Sequence, residues 1–275
     1  MERFFLGASA PATPVPERSR RNTYPKLAQA ALAGADPGSS AGGEQPKFTA
    51  RVSGRSGVRA VIVKFSPPTG TEVGRRWADL LICEHLAHEV LRAHGLPASQ
   101  SALLEGGDRV FLEVTRFDRV GDLGRRPLAS LFAIDAEFIG GAQTWSEGAA
   151  RLLKAGQLGA AEAATVMRFE AFGRLIQNSD RHLGNLSFFW EEPRPGAPTF
   201  TLAPLYDMLP MAFRPQADQV IERAFSPAIP DVHLLPYWEE VRGVAKAYWS
   251  RVQADPRISR RFKAGPAAAA SKAMG

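Results

Sequence analysis

The chain has 275 residues, 45% of them hydrophobic, enough for a sizeable core in one bilobed domain or two small ones. Its single cysteine, Cys83, excludes an internal disulfide, and no apolar run has the length of a signal peptide or membrane span, so a cytoplasmic protein without membrane contact is expected. A net charge of +6 and a pI near 9.8 permit a nucleic-acid partner, but the excess is moderate and no helix-turn-helix or zinc-finger pattern accompanies it, so DNA contact is expected to be weak or indirect.

Residues 8 to 45 are rich in Ala, Pro, Gly and Ser, with basic residues at Arg18, Arg20, Arg21 and Lys26. They read as a loosely ordered approach with at most one short helix, the core starting near Lys47. The approach ends in Ser39-Ser40-Ala41-Gly42-Gly43-Glu44-Gln45-Pro46-Lys47-Phe48. Small residues there let backbone amides come close to phosphate, although a Gly-Gly pair alone is more often an ordinary turn, and this is no Walker A motif.

Lys47 to Val52 and Val58 to Phe65 read as two strands joined by a Ser- and Gly-rich turn. Alternation in the second puts Lys64 on one face with Ile62 and Ala60, and Val61, Val63 and Phe65 on the other. A lysine in so apolar a strand calls for an anionic partner, phosphate or carboxylate, unless it reaches water just before Ser66-Pro67-Pro68. The next helix, Arg75 to His94, places Glu84 at the edge of its apolar arc, within reach of Lys64, although a border Glu is more often solvated. His85, His88 and His94 on that helix do not form H-E-x-x-H, and no zinc is expected.

A strand at Val110 to Val114 leads into Arg116-Phe117-Asp118-Arg119, and the polar interval Gly121 to Arg126 marks passage into a helical region. A helical run from Ala164 to Gln177 precedes Asp180-Arg181-His182-Leu183-Gly184-Asn185. A hairpin follows, Leu186 to Trp190 and Thr199 to Leu205, ending at Tyr206-Asp207. Asp and Asn also close ordinary turns. An Asp followed five residues later by an Asn, then a hairpin and a second acid, is nevertheless how kinase-type sites place a base and magnesium ligands. Further on, Leu235 to Gln253 reads as an amphipathic helix with Trp238, Val241, Ala245 and Trp249 on its core face, and Gly265 to Gly275 as a frayed, Ala-rich end.

Together these segments resemble the HipA family of bacterial serine/threonine kinases, the toxins of certain toxin and antitoxin pairs. The resemblance rests on Gly42-Gly43-Glu44-Gln45-Pro46-Lys47, Val63-Lys64-Phe65, Arg116-Phe117-Asp118-Arg119, Asp180 to Asn185, and Leu202-Ala203-Pro204-Leu205-Tyr206-Asp207, in order from about Ser40 to Met211. It implies an α+β, protein-kinase-like bilobed fold, with a small β-rich N-lobe over 40–118 and a larger, mainly helical C-lobe over 119–275, after an N-terminal extension over 1–39. ATP and magnesium are the implied cofactors.

By the resemblance, Gly42 to Lys47 cover the ATP phosphates, Lys64 contacts them, and Thr115, Arg116 and Phe117 form the hinge against adenine. Asp180 is the catalytic base. His182, Leu183, Gly184 and Asn185 border nucleotide and metal, and Tyr206-Asp207 stands in for the kinase D-F-G aspartate, so that Asn185 and Asp207 hold magnesium. Ser40 occupies the position at which relatives are autophosphorylated, ejecting the loop. The implied acceptor is a serine or threonine of a protein, with aminoacyl-tRNA synthetases the substrate class the family suggests.

The resemblance implies a small subdomain before the glycine loop, which the 39 residues ahead of Ser40 are expected not to supply, and a region after Asp207 that is short for the family. Either a separate polypeptide replaces that subdomain or the chain is a truncated or fused descendant; such a polypeptide, or an antitoxin, is an expected partner. Two other readings stay open: a catalytically silent HipA-like binding or DNA-associated module, and a small-molecule phosphotransferase of the aminoglycoside kind. Arg116-Phe117-Asp118-Arg119 and Leu202-x-Pro-x-Tyr-Asp speak against the latter.

Overall fold

Strict alternation along the strands builds the first layer. In the computed structural model, which describes residues 13–34, 45–122, 124–190 and 199–274, β1 (Val15–Pro16), β2 (Lys47–Gly54), β3 (Gly57–Phe65), β4 (Ser101–Gly106) and β5 (Arg109–Thr115) form one sheet in the order β1-β2-β3-β5-β4. Only the β1 to β2 pairing is parallel. Val61, Val63 and Phe65 of β3 join Phe48, Val52, Leu104 and Phe111 on one face, while Val110, Leu112 and Val114 of β5 turn to the other.

The first face is covered by α1 (Arg20–Leu32), whose Tyr24 and Ala28 are fully buried against those side chains. Residues 13–34 are thus part of the fold and not a loose approach, and the core begins well before Lys47. Periodicity alone could not show this, because the apolar residues of α1 include three alanines and only Tyr24 and Ala28 are fully buried, with Leu27 and Ala31 packed beside them and polar ties adding to the hold. Tyr24 donates to Glu113, and Arg20 and Arg59 both pair with that carboxylate, at 2.9 and 2.7 Å.

The second face carries α2 (Glu72–Ala93), started by Thr71, whose hydroxyl accepts from Gly74 N at 3.0 Å. Gly74 is required here, since a β-carbon would lie 1.9 Å from Pro68 O. The helix is buried on nearly all sides because the sheet lies on one flank and the helical lobe on the other.

Beyond β5 come the short pair β6 (Arg119–Val120) and β7 (Gly124–Arg125), then β8 (Leu128–Ser130) and α3 (Leu131–Ile134). The helical lobe continues with α4 (Trp145–Lys154) and α5 (Ala160–Leu175), then β9 (Ser187–Trp190) and β10 (Phe200–Leu202), which with β8 form a small sheet in the order β10-β9-β8. It ends with α6 (Trp238–Ala254), α7 (Arg260–Phe262) and α8 (Ala268–Met274). In α6, Val241, Ala245 and Trp249 are fully buried, as their spacing predicts. The C-terminal stretch expected to fray is packed instead: Ala267, Ala270 and Met274 are buried, and Met274 O accepts from Arg242 at 3.4 Å. Its alanines are small enough to pack closely on α6, a use of small residues that composition does not reveal. The whole is a protein-kinase-like bilobed α+β fold, a small β-rich lobe resting on a larger helical one.

Candidate active site

Lys64 leaves β3 on the face opposite Val63 and Phe65 and enters the space between the lobes, where its ammonium is almost completely buried. Nζ donates to both oxygens of Glu84, at 2.7 and 2.8 Å, and also to Asp207. Glu84, expected at the border of the α2 arc, is fully buried. Burial pushes its carboxyl pKa up, against the pull of Lys64. For Asp207 the balance reverses: burial raises its pKa, but Lys64, with Lys47 and His88 behind it, holds it below the usual carboxylate range. The two anions raise the Lys64 pKa despite the cost of burying it.

Asp207 occupies a left-handed backbone position, φ 52°, which Asp tolerates better than bulkier residues. Asn178, buried at the end of α5, helps hold it there, its Nδ2 donating to Asp207 O at 3.3 Å. The Asn178 Oδ1 accepts from Asp180 N at 3.0 Å, so one side chain sets both the Asp180 loop and the Asp207 turn. Asn178 was not singled out in the sequence, where it looks like any turn-forming Asn.

Within the loop, Asn185 Nδ2 donates to Asp180 O at 2.9 Å and to Asp180 Oδ2 at 3.3 Å. That leaves Asn185 Oδ1 available as an oxygen ligand, while the Asp180 carboxylate is nearly half exposed. His182 stands 3.9 Å from Asp180 Oδ1, accepts from Gly184 N at 3.0 Å and is itself mostly exposed. Its carbonyl takes the Trp145 indole N–H at 2.9 Å, fixing the loop to α4. Leu183 packs against the main core. Tyr206 bridges the loop and β9: its hydroxyl donates to Gly184 O at 3.2 Å and shares a 2.6 Å hydrogen bond with Ser187. Burial pushes its phenol pKa up to about 12, so it stays protonated.

The segment expected to form the hinge, Thr115 to Phe117, comes up against the hairpin that follows this loop. Thr115 N and Arg116 N are bonded to Gln100 O and Ala60 O, at 2.8 and 2.9 Å. The Arg116 guanidinium grips Asp118 through two bonds of 2.9 and 2.7 Å. Phe117 alone of the three presents a ring, 6.0 Å from Tyr206 and edge-on to Phe189 at 5.9 Å. At the other margin, Lys47 stands directly opposite Lys64 in the β2–β3 register, and Pro46 O accepts from Phe65 N at 3.2 Å. Gln45 Nε2 is buried without a partner among the described residues. Ser40, Gly42, Gly43 and Glu44 lie outside the described residues.

Behind the Lys64–Glu84 pair sits His88, which the sequence reading assigned to surface or packing. It is fully buried, its Nε2 3.9 Å from Glu84 Oε1 and its Nδ1 3.2 Å from Ser101 Oγ, which also contacts His85 Nδ1 at 2.9 Å. Burial, reinforced by Lys64, lowers its pKa to about 3. Among the described residues no three His, Cys, Asp or Glu side chains cluster as a metal site. The Asp207 carboxylate and Asn185 Oδ1 are oxygens of the type magnesium takes, a sparse set of the kind that nucleotide phosphates would complete.

A strand lysine paired with a helix glutamate, facing an Asp-x4-Asn loop and a second acid across an interlobe cleft, is the arrangement of protein-kinase-like folds. The chain belongs to the HipA-like C-terminal domain family, whose model matches residues 39–253. It is 41% identical over 261 residues to the toxin YjjJ of Escherichia coli strain K12, an alignment covering 94% of this chain and 58% of that protein. The chain thus spans little more than half the length of this curated relative. Solved structures that share its fold include the following two. HipA of Shewanella oneidensis MR-1, solved with HipB and operator DNA, superposes with a TM-score of 0.57 at 16% identity, over 98% of this chain and 72% of that one. The Helicobacter pylori proinflammatory kinase CtkA gives 0.53 at 14%, over 86% and 91%. No helix among the described residues is long and apolar enough to cross a membrane.

Proposed function

We propose that this chain is an ATP- and magnesium-dependent protein serine/threonine kinase of HipA toxin type. The observation that carries the reading is the convergence of Lys64, Glu84 and Asp207 from sheet, helix and hairpin, across the cleft from Asp180 and Asn185. ATP supplies the phosphoryl group, and magnesium offsets the charge of its phosphates. Asp207 and Asn185 would hold the metal, and Lys64, positioned by Glu84, the phosphates. Because Lys64 directs donors to Glu84 and Asp207, phosphate and metal would have to draw Asp207 away from the lysine while Glu84 keeps it in place. Phe117 offers a ring face for adenine. Asp180, nearly half exposed, with one carboxylate oxygen tied to Asn185 and the other beside the His182 ring, would orient an acceptor hydroxyl and take its proton.

A protein acceptor is favoured by the family, for which aminoacyl-tRNA synthetases are the suggested substrates. An antitoxin, or a polypeptide supplying the rest of the relative's length, is the proposed partner, and the cytoplasm the proposed setting. Autophosphorylation at Ser40 remains part of this reading. The test is incubation with magnesium and γ-labelled ATP, alone and with lysate, followed by mapping of the label. Asp180→Ala should keep ATP affinity and lower transfer by about 10²-fold or more. Undiminished transfer in that variant removes Asp180 from the chemistry. Magnesium-dependent ATP binding without transfer would favour a binding module.

A further inference from the structure

Arg181, next to Asp180, folds back from the cleft onto α5, its stem crossing Gly173, where a β-carbon would stand 2.6 Å from Arg181 Cδ and 3.3 Å from Met208 Cε. Its Nε is buried with no hydrogen-bond partner, and its guanidinium enters no ion pair among the described residues. Other buried or half-buried arginines are matched. Arg76 donates to Phe213 O and Glu222, Arg116 grips Asp118, and Arg174 joins Glu170 and Asp231, each at 2.7 Å. Burial and the nearby Arg174 lower the proton affinity of Arg181, outweighing the pull of Glu170. Only Nε is cut off from water, and the residue as a whole is half-buried, so the outer nitrogens of the fork keep access to solvent and are free to meet an anion.

The space for one is present. Arg181 lines a cavity of about 340 Å³ between the Asp180 loop and the 212–229 segment, together with Arg174, Gln177, Ser179, Ser226 and Ile229. Its walls are held by Gln177, whose left-handed backbone (φ 62°) lets its carbonyl accept from Ala212 N at 3.0 Å while its Nε2 donates to Ser226 O at 2.6 Å. Since Arg174 is already matched by two carboxylates, the unmatched charge in the cavity is that of Arg181. A guanidinium fork suits the several acceptor oxygens of a phosphate.

We propose that this cavity is a receptor for a phosphate monoester or free phosphate, with Arg181 as its main donor, and that occupancy fastens the 212–229 segment to the Asp180 loop. Two sources share that chemistry. One is the exposed Ser226 in the cavity wall: its Oγ would take the γ-phosphoryl of ATP from a kinase, releasing ADP and the hydroxyl proton. The other is phosphate from solution. The site does not depend on this chain being a kinase, because binding is read without ATP.

The experiment follows the melting temperature of the chain in increasing inorganic phosphate against chloride of equal ionic strength. Wild type should rise saturably, by about 3 °C at saturation. Arg181→Gln should melt normally in chloride and lose the rise. Arg181→Lys, which keeps the charge but not the fork, should bind phosphate about tenfold more weakly, and it carries the test if the Gln variant does not fold. A chain bearing phosphoserine at 226 that melts higher and ignores added phosphate identifies the source as its own wall. The same chain responding like wild type identifies solution phosphate as the ligand. No rise in wild type, or an equal rise with an equal dissociation constant in the Arg181 variants, overturns the proposal.

Discussion

Lys64, Glu84 and His88 form a stack in which each group is buried for the sake of the one before it. The ammonium needs the Glu84 carboxylate, and the carboxylate needs a neighbour that does not compete for that lysine, a condition that neutral His88 meets. Its neutrality has a consequence for stability. Below about pH 6.5 the unfolded chain takes up a proton at His88, whereas the folded chain refuses it until about pH 3. The unfolded state therefore binds more protons across that window, and stability falls as the solution is acidified, by up to about 1.4 kcal/mol per pH unit. His85, also lowered by burial, acts in the same direction. Urea unfolding between about pH 7 and 4.5 should show a clearly shallower pH slope for His88→Gln than for wild type. Parallel slopes would mean that His88 is protonated in the fold.

At the scale of elements, α1 makes the clearest claim. Tyr24 is enclosed by Phe48 and Phe111 at ring distances of 5.4 and 5.8 Å, and its hydroxyl meets a carboxylate that Arg20 and Arg59 also hold. Tyr24→Phe keeps the ring and removes one charge-assisted hydrogen bond, so a loss of about 1.5 to 3 kcal/mol is expected. Tyr24→Ala also empties the aromatic cluster and should cost about 3 to 5 kcal/mol. Changes within about 0.5 kcal/mol for both in denaturant unfolding would mean that α1 is only loosely attached. Little of this was legible in advance. The two buried side chains of α1 lie four residues apart in a run of mixed polar and small apolar residues, and the glutamate that anchors it is 89 residues away in sequence. Glu84 was legible as the partner of Lys64 but not as a buried group, because a helical projection assumes one apolar neighbour and α2 has two. The β2–β3 hairpin, the face of Lys64 and the burial of Trp249 followed directly from period, which needs no knowledge of what packs against the element.

Across the whole molecule, several ion pairs join the lobes, Arg76–Glu222 and Arg251–Glu89 among them, but the one inside the cleft had two readable sides and a joining that was not. Lys64 belongs to the sheet and Asp207 to the helical lobe, 143 residues later, and nothing local to either sequence states that they touch. Arg181 was equally hidden, since a loop arginine is ordinarily solvated and only the fold shows it turned inward. The Lys64–Asp207 contact predicts how closure and ligand binding compete. Asp207→Ala leaves Lys64 paired with both Glu84 oxygens, so no buried charge is stranded and the melting temperature should change by only a few degrees. What should disappear is magnesium dependence: in calorimetric titrations the wild type should bind ATP more tightly with magnesium than without it, whereas the variant should bind equally weakly in both. Magnesium-stimulated affinity that survives in Asp207→Ala would place the metal elsewhere, and the Lys64–Asp207 contact would then be a latch between lobes with no part in holding the cofactor.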